Sequence, residues 1–271
     1  PSRAADIARE ANGHPLFIDE LVRFARSGGA PGEHATGLRL DEALVTRVGA
    51  LPPDARTLIE VAAVAGGPLR QTSAARAASL GPAEFAAALA MLRAERLIRT
   101  SGVRGADTVE PYHDRIREAV TDRLPTDTRR GHQHALAIAL EGSDDPPDPE
   151  VLAGHWLGAG ETERAATWTV RAAQAADQAL AFDRAVRLYR HALELLPARH
   201  GERQALTVRL ADALVNAGRG KDGAEAYLAA AAAASPSEML DLRRKAAEQL
   251  LKAGHVDEGV ATLRDVLDQV G

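Results

Sequence analysis

Apolar residues return every three or four positions along most of this chain, the spacing of one buried face on an α-helix. Residues 2–11 (SRAADIAREA) carry that pattern, and Asn12-Gly13 stops it. After Pro15 a second helix is predicted, with Leu16, Phe17, Leu21 and Phe24 on one side. Residues 27–37 (SGGAPGEHATG) read as loop by composition. A helix with Leu44, Val45, Val48 and Leu51 turned inward follows, with Asp41 in its N-cap region. Pro52-Pro53-Asp54 opens the next one, because proline suits the first helical position and an acid suits the positive end of the helix dipole. Its ARTLIEVAAVAG run is apolar nearly all round, which predicts burial, and Gly66-Gly67-Pro68 ends it. A short helix is expected at 72–79, and Gly81-Pro82 opens another with Phe85, Leu89 and Leu92 in a stripe. Residues 97–100 and 108–110 then read as two strands around a turn at 101–106.

At 110–120 (EPYHDRIREAV) an extended run over 107–112 becomes a helix from Asp114, with Ile116, Ala119 and Val120 inward. His113 stands at the junction, where a side chain can point away from both elements. Three helices followed by a two-stranded wing are the order of a winged helix, which we place at 40–124, after the tail of a helical lid at 1–30. From 126 the pattern is purely helical, with one helix at 132–141 and SDDPPDPE as a connector. A phrase then recurs: GETERAATWTVRAA (160–173), AFDRAVRLYRHAL (181–193), GRGKDGAEAYLAAA (218–231) and GHVDEGVATLRDVL (254–267) superpose. Small residues repeat at Ala165, Ala185, Gly223 and Gly259, and bulkier ones near Trp168/Thr169, Tyr189, Tyr227 and Leu263. The step from Gly218 to Gly254 is 36 residues. A tetratricopeptide repeat has about 34. The first two phrases stand closer, so the helix at 161–178 is expected to serve two neighbouring pairs. The fold class is therefore mainly α: a winged helix with a small β wing, followed by a TPR-like α-solenoid at 126–271.

Composition narrows the chemistry. The 271 residues are 45% hydrophobic but only 3% aromatic, and the abundant alanine favours close-packed helices. There is no cysteine, which excludes disulfides and thiolate catalysis. A formal net charge of −5 gives no support to nucleic-acid binding. The helix at 82–95 would be the DNA reader of a winged helix, yet it offers Glu84, then alanines, with Arg93, Arg96 and Arg99 only late; it reads as a packing helix. No run of 18 apolar residues and no signal peptide occur, so a cytoplasmic protein is expected. The chain starts at Pro1 inside one helical pattern and stops at Gly271 just after another, so both ends are expected to be cut from something longer. No phosphate-binding G-x-x-x-x-G-K-[ST], no G-x-S-x-G elbow and no H-E-x-x-H appear, and the glycine-rich 28–32 lacks a lysine. His132 and His134 fall on different helix faces, so neither they nor His155 suggest a metal, and the acids at Asp144, Asp145 and Asp148 lack calcium-loop periodicity. This chain alone is not expected to be an enzyme or to hold a cofactor.

The order GHPLF (13–17), LDEALVTRVGALPPDARTLIEVAAVAG, wing, PYHDRIREAV and degenerate repeats resembles the back half of a signal-transduction ATPase of the STAND class. It is similar in particular to the predicted-ATPase regions of bacterial PknK-like serine/threonine kinases, of MalT-like and LuxR-type transcription activators, and of some adenylate cyclases. The resemblance implies a nucleotide-binding core with the Walker motifs upstream of this chain, holding ADP or ATP. It implies that Gly13-His14-Pro15 matches a G-x-P motif whose proline meets the adenine, and that His113-Asp114 matches a motif whose histidine meets the β-phosphate of ADP. The winged helix would then sense nucleotide, with Asp114 as a helix cap or dipole partner. The repeats would bind a protein partner or small effector, with Arg184, Arg187 and Arg190 on one helix and Arg243 and Arg244 on another as its surface. An open solenoid end at Gly271 could support a homo-oligomer. Two other readings stay open: the effector-binding region of a MalT/LuxR-type transcription activator, and a plain TPR interaction scaffold.

Overall fold

The computed structural model describes residues 3–26, 39–102, 107–144, 147–198 and 200–270. The loop expected at 27–37 and the tip of the wing turn at 103–106 lie outside them. The chain divides into two compact units, Pro1–Asp145 and Pro146–Gly271.

Unit 1 begins with α1 (Arg3–Glu10) and α2 (Pro15–Arg26), joined by a tight turn, and continues with α3 (Leu40–Gly49) and α4 (Pro53–Ala65). α4 starts on proline and ends at Gly66, whose φ of 75° is the left-handed conformation that a helix C-terminus asks of glycine. Then come β1 (Leu69–Arg70), α5 (Gln71–Ala77), α6 (Pro82–Ala94), β2 (Ile98–Ser101), β3 (Thr108–Pro111), α7 (Asp114–Arg123) and α8 (Thr126–Glu141). The strands form an antiparallel sheet of order β1-β3-β2, with Leu69 opposite Val109 and Thr100 opposite that same Val109 across the other edge. This helix–strand–helix–helix–strand–strand order is that of a winged helix. The sheet has a third strand beyond the two expected, because Leu69 and Arg70 pair at the sheet edge before α5 begins.

The unit closes around α4. Its Leu58, Ile59, Val61 and Ala62 are fully buried, as are Leu92 of α6, Leu97 beside β2, Val109 of β3 and Leu136 of α8. Each large aliphatic side chain so buried contributes about 1.5–3 kcal/mol. α8 corrects the expected boundary. Its apolar face lies on α4 and α5, with the His132 ring bonded to Glu60 at 2.9 Å, so residues 126–141 complete the first unit and do not open the solenoid.

Unit 2 is a stack of helices: α9 (Pro149–Gly158), α10 (Thr162–Gln178), α11 (Phe182–Leu195), α12 (Arg203–Asn216), α13 (Gly220–Ala231), α14 (Pro236–Lys252) and α15 (Val256–Val270). Each packs chiefly on the helices before and after it in sequence, the TPR-like solenoid arrangement. The recurring phrase has a geometric origin. Gly160, Leu180, Gly218 and Gly254 all take positive φ, at 80°, 57°, 76° and 83°, in the turns that lead into α10, α11, α13 and α15. Five positions after each stands a small buried residue: Ala165, Ala185, Gly223 and Gly259. A Cβ on Gly223 would come within 2.7 Å of Val215 Cγ2 and 3.2 Å of the Ala211 carbonyl oxygen, so glycine here allows α13 to press onto α12. Gly259 meets Leu251 of α14 in the same way. Tyr189 and Tyr227, four positions further on, fill the space beside these contacts and are buried. As expected, α10 packs on both α9 and α11.

Candidate functional site

The turn between α1 and α2 places Asn12 at φ 46° and Gly13 at φ 74°. Nothing lies within 4 Å of a Cβ built on Gly13, so the backbone conformation, not space, calls for glycine there. Pro15 follows as the first residue of α2, where its missing N–H leaves no helical bond unmade. This geometry turns His14 inward. Its ring stacks on Phe17 at 4.4 Å between centroids. The His113 ring, from the start of α7, meets both edge-on, at 5.1 Å from His14 and 4.8 Å from Phe17. The two motifs singled out from the sequence therefore converge, but the contact residue of the first is His14, with Gly13 and Pro15 shaping the turn on either side. The sequence motifs do not by themselves mark His14 and Phe17 as site residues. The signal available was an aromatic three positions after a histidine at a helix start.

His113 is the N-cap of α7. It has extended backbone at φ −151°, and its Nδ1 accepts the Arg115 backbone N–H at 3.1 Å. With Nδ1 occupied as an acceptor, the neutral ring carries its proton on Nε2. The cap role expected of Asp114 thus belongs to His113. Asp114 is exposed in the first helical turn, where its charge suits the dipole, and pairs with Arg117 at 3.4 Å. Asp41 likewise is not the cap of α3. Glu10 of α1 supplies that carboxylate, accepting the Leu40 N–H at 3.2 Å, while Asp41 pairs with Arg115 at 2.9 Å and Arg39 at 3.7 Å.

These side chains border a hollow of about 560 Å³, lined among others by Asn12, His14, Phe17, Arg39, His113 and Arg115. His14 Nδ1 is buried and has no hydrogen-bond partner among the described residues. On its other side His113 borders a smaller hollow of about 220 Å³ with Gly66, Gly67, Arg99, Tyr112 and Arg117. Further along α2, Glu20 is 4% exposed and pairs with Arg47 of α3, whose guanidinium also bonds the Glu95 carboxylate at 2.6 Å. Burial pushes the Glu20 carboxyl above its ordinary value, and Arg47 opposes that rise. A helix cap, a ring cluster and an ion cluster thus fasten α1 and α2 to the winged helix.

The arginines expected to face a partner are placed differently from one another. Arg184 is engaged by Asp148 at 2.9 Å and Glu150 at 2.6 Å across from α9. Arg244 is held on its own helix by Asp241 at 2.9 Å and Glu248 at 3.4 Å. Arg187 and Arg190 are exposed on α11, and Arg243 is half-buried on α14. No group of three or more potential metal ligands occurs among the described residues, and none of their helices is long and apolar enough to cross a membrane.

No protein-family model matches the chain, and no curated protein matches it in sequence. Among solved structures, a kinesin light chain protein of Podosopora anserina with nearly identical TPR-like repeats is similar over 58% of this chain and 82% of its own, at 17% identity and a TM-score of 0.37. A signal-transduction ATPase with numerous domains (STAND) from Pyrococcus horikoshii, bearing a tetratricopeptide repeat sensor, is similar over 98% of this chain at 12% identity and a TM-score of 0.56. The chain spans 38% of that protein's length, and what the two share is a fold.

Proposed function

We propose that this chain is the regulatory part of a bacterial, cytoplasmic signal-transduction ATPase. In this reading Gly13, Pro15 and His113 meet ADP or ATP held by a nucleotide-binding core outside this chain, and the repeats dock a protein partner or effector. The observation that carries it is the meeting of the Gly13-His14-Pro15 turn with His113 at one hollow. The donors there suit the oxygens of an anionic ligand: His113 Nε2–H, the α7 N-terminus, and Arg115 and Arg39, whose charge is shared with Asp41 and Glu10 of the same lining; the unpartnered, buried His14 nitrogen lies beside them. The ring cluster also links the lid helices to the winged helix, so a ligand bound at His113 would favour the fastened arrangement over a released one.

The output of such a protein would lie in another domain, and a serine/threonine kinase is the fusion we favour from the sequence resemblance. The test is ADP retention by the full-length protein purified without added nucleotide, wild type against His113→Ala. Loss of ADP with folding intact supports the sensor. Equal retention reduces His113 to a helix cap and leaves an interaction scaffold.

A further inference from the structure

The repeat register lays equivalent positions of α10, α12 and α14 side by side. The small pairs Ala173–Ala185, Ala211–Gly223 and Ala247–Gly259 are each twelve residues apart. Two positions before the first member of each pair stand Arg171, Arg209 and Lys245, a basic residue at the same place in three alternate helices. Each lies near an aromatic side chain: Arg171 at 4.3 Å over Trp168, Arg209 beside the Tyr189 hydroxyl, and Lys245 at 5.9 Å from the Tyr227 centroid. Their electrostatic situations differ. Lys245 is neutralised by Asp241 at 3.3 Å, whereas Arg171 and Arg209 make no ion pair among the described residues.

Those two arginines line one groove of about 530 Å³ between α10 and α12, with Val170 and Leu206 among the apolar residues between the walls. Glu163 and Glu202 line it too, and they also make no ion pair among the described residues. Glu163 precedes Arg171 by eight residues and Glu202 precedes Arg209 by seven. At about 1.5 Å of rise per residue the acids and bases are about 10–12 Å apart along the helices. The groove is therefore negative at one end and positive at the other, with an apolar stretch between. An extended chain covers about 10–13 Å in three or four residues.

We infer that this groove docks an extended peptide carrying a carboxylate side chain and, three or four residues away, a cationic one, with an apolar residue between them. The carboxylate lies between Arg171 and Arg209, the cation between Glu163 and Glu202. This rests on the reading of the repeats as a docking surface and adds what that surface selects. All four charged side chains are exposed, so their removal leaves the solenoid core intact.

The experiment uses the whole chain and four immobilised heptapeptide pools. Two positions four apart are fixed as Asp/Lys, Gln/Gln, Asp/Asp or Lys/Lys, and the others are randomised over neutral residues. The Asp/Lys pool should retain the chain about tenfold better than the Gln/Gln pool, the combined effect of two partly exposed charge pairs. Arg171→Gln/Arg209→Gln and Glu163→Gln/Glu202→Gln should each remove most of that preference. Equal retention by the Asp/Lys and Gln/Gln pools, unchanged by the variants, would overturn the charge selection while leaving peptide docking standing. Retention of no pool would overturn both.

Discussion

His155 makes the stability of unit 2 depend on pH in a calculable way. It sits on α9 at 6% exposure, next to the fully buried Trp156. Burial penalises the charged imidazolium and lowers its pKa from 6.5 to about 4. The unfolded chain therefore binds a proton that the folded chain refuses between these values, and stability rises with pH through that window. Above the unfolded value nothing is lost. As pH falls from about 6.5 to about 4 the loss grows by about 1.4 kcal/mol for each pH step of one, reaching about 2 kcal/mol near pH 5 and about 3 kcal/mol below pH 4. The carboxylates with lowered values, such as Asp148, which accepts the Glu150 N–H, lose their contribution only at more acid pH, so the upper half of the window isolates the histidine. The assay is urea unfolding followed by tryptophan fluorescence. Trp156 and Trp168 are the chain's two tryptophans and both lie in unit 2, so unit 1 is silent. The midpoint should fall between about pH 7 and about pH 5 in the wild type and much less in His155→Leu. Equal slopes in the two proteins would refute the assignment of the pH dependence to this side chain.

The remaining expectations concern the joints. Leu180 holds a left-handed φ of 57° where equivalent turns use glycine, and its side chain is 73% exposed, so Leu180→Gly should stabilise unit 2 by about 0.5–1 kcal/mol in the same urea titration. Gly223→Ala forces a methyl against Val215 and the Ala211 carbonyl and should cost about 1–3 kcal/mol; a neutral result would mean that α12 and α13 separate freely. Arg47→Ala leaves Glu20 buried without its cation and should destabilise the seat of α2 by about 3 kcal/mol, seen as faster amide exchange in α2 than in α4.

What could be read beforehand follows from how local each signal is. Helices α10, α11, α13 and α15 announce themselves because the left-handed turn residue, the small residue and the bulky residue repeat at fixed spacing within one short segment. α9 has no such marker: Val151, Leu152, Trp156 and Leu157 are distributed around it, so its apolar residues draw no stripe. β1 is two residues long, too short for any alternation to register. α8 shows a clear face in Leu136, Ala137 and Leu140, but a helix face does not say which unit it will cover. At the candidate site, His113 stood out because it marks a strand-to-helix junction. The part played by His14, Phe17 and Glu10 depends on contacts with segments distant in sequence, His113 and Leu40, which the one local signal, an aromatic three positions after a histidine, does not reveal.

The neighbour-to-neighbour packing of α9 through α15 has a mechanical consequence. Among the described residues no strand pairing clamps the two ends of that stack, so a force applied along it is carried in series by every helix interface. The stack should therefore stretch as a soft spring, each interface giving a little. Its groove width would then change with tension, before any helix melts.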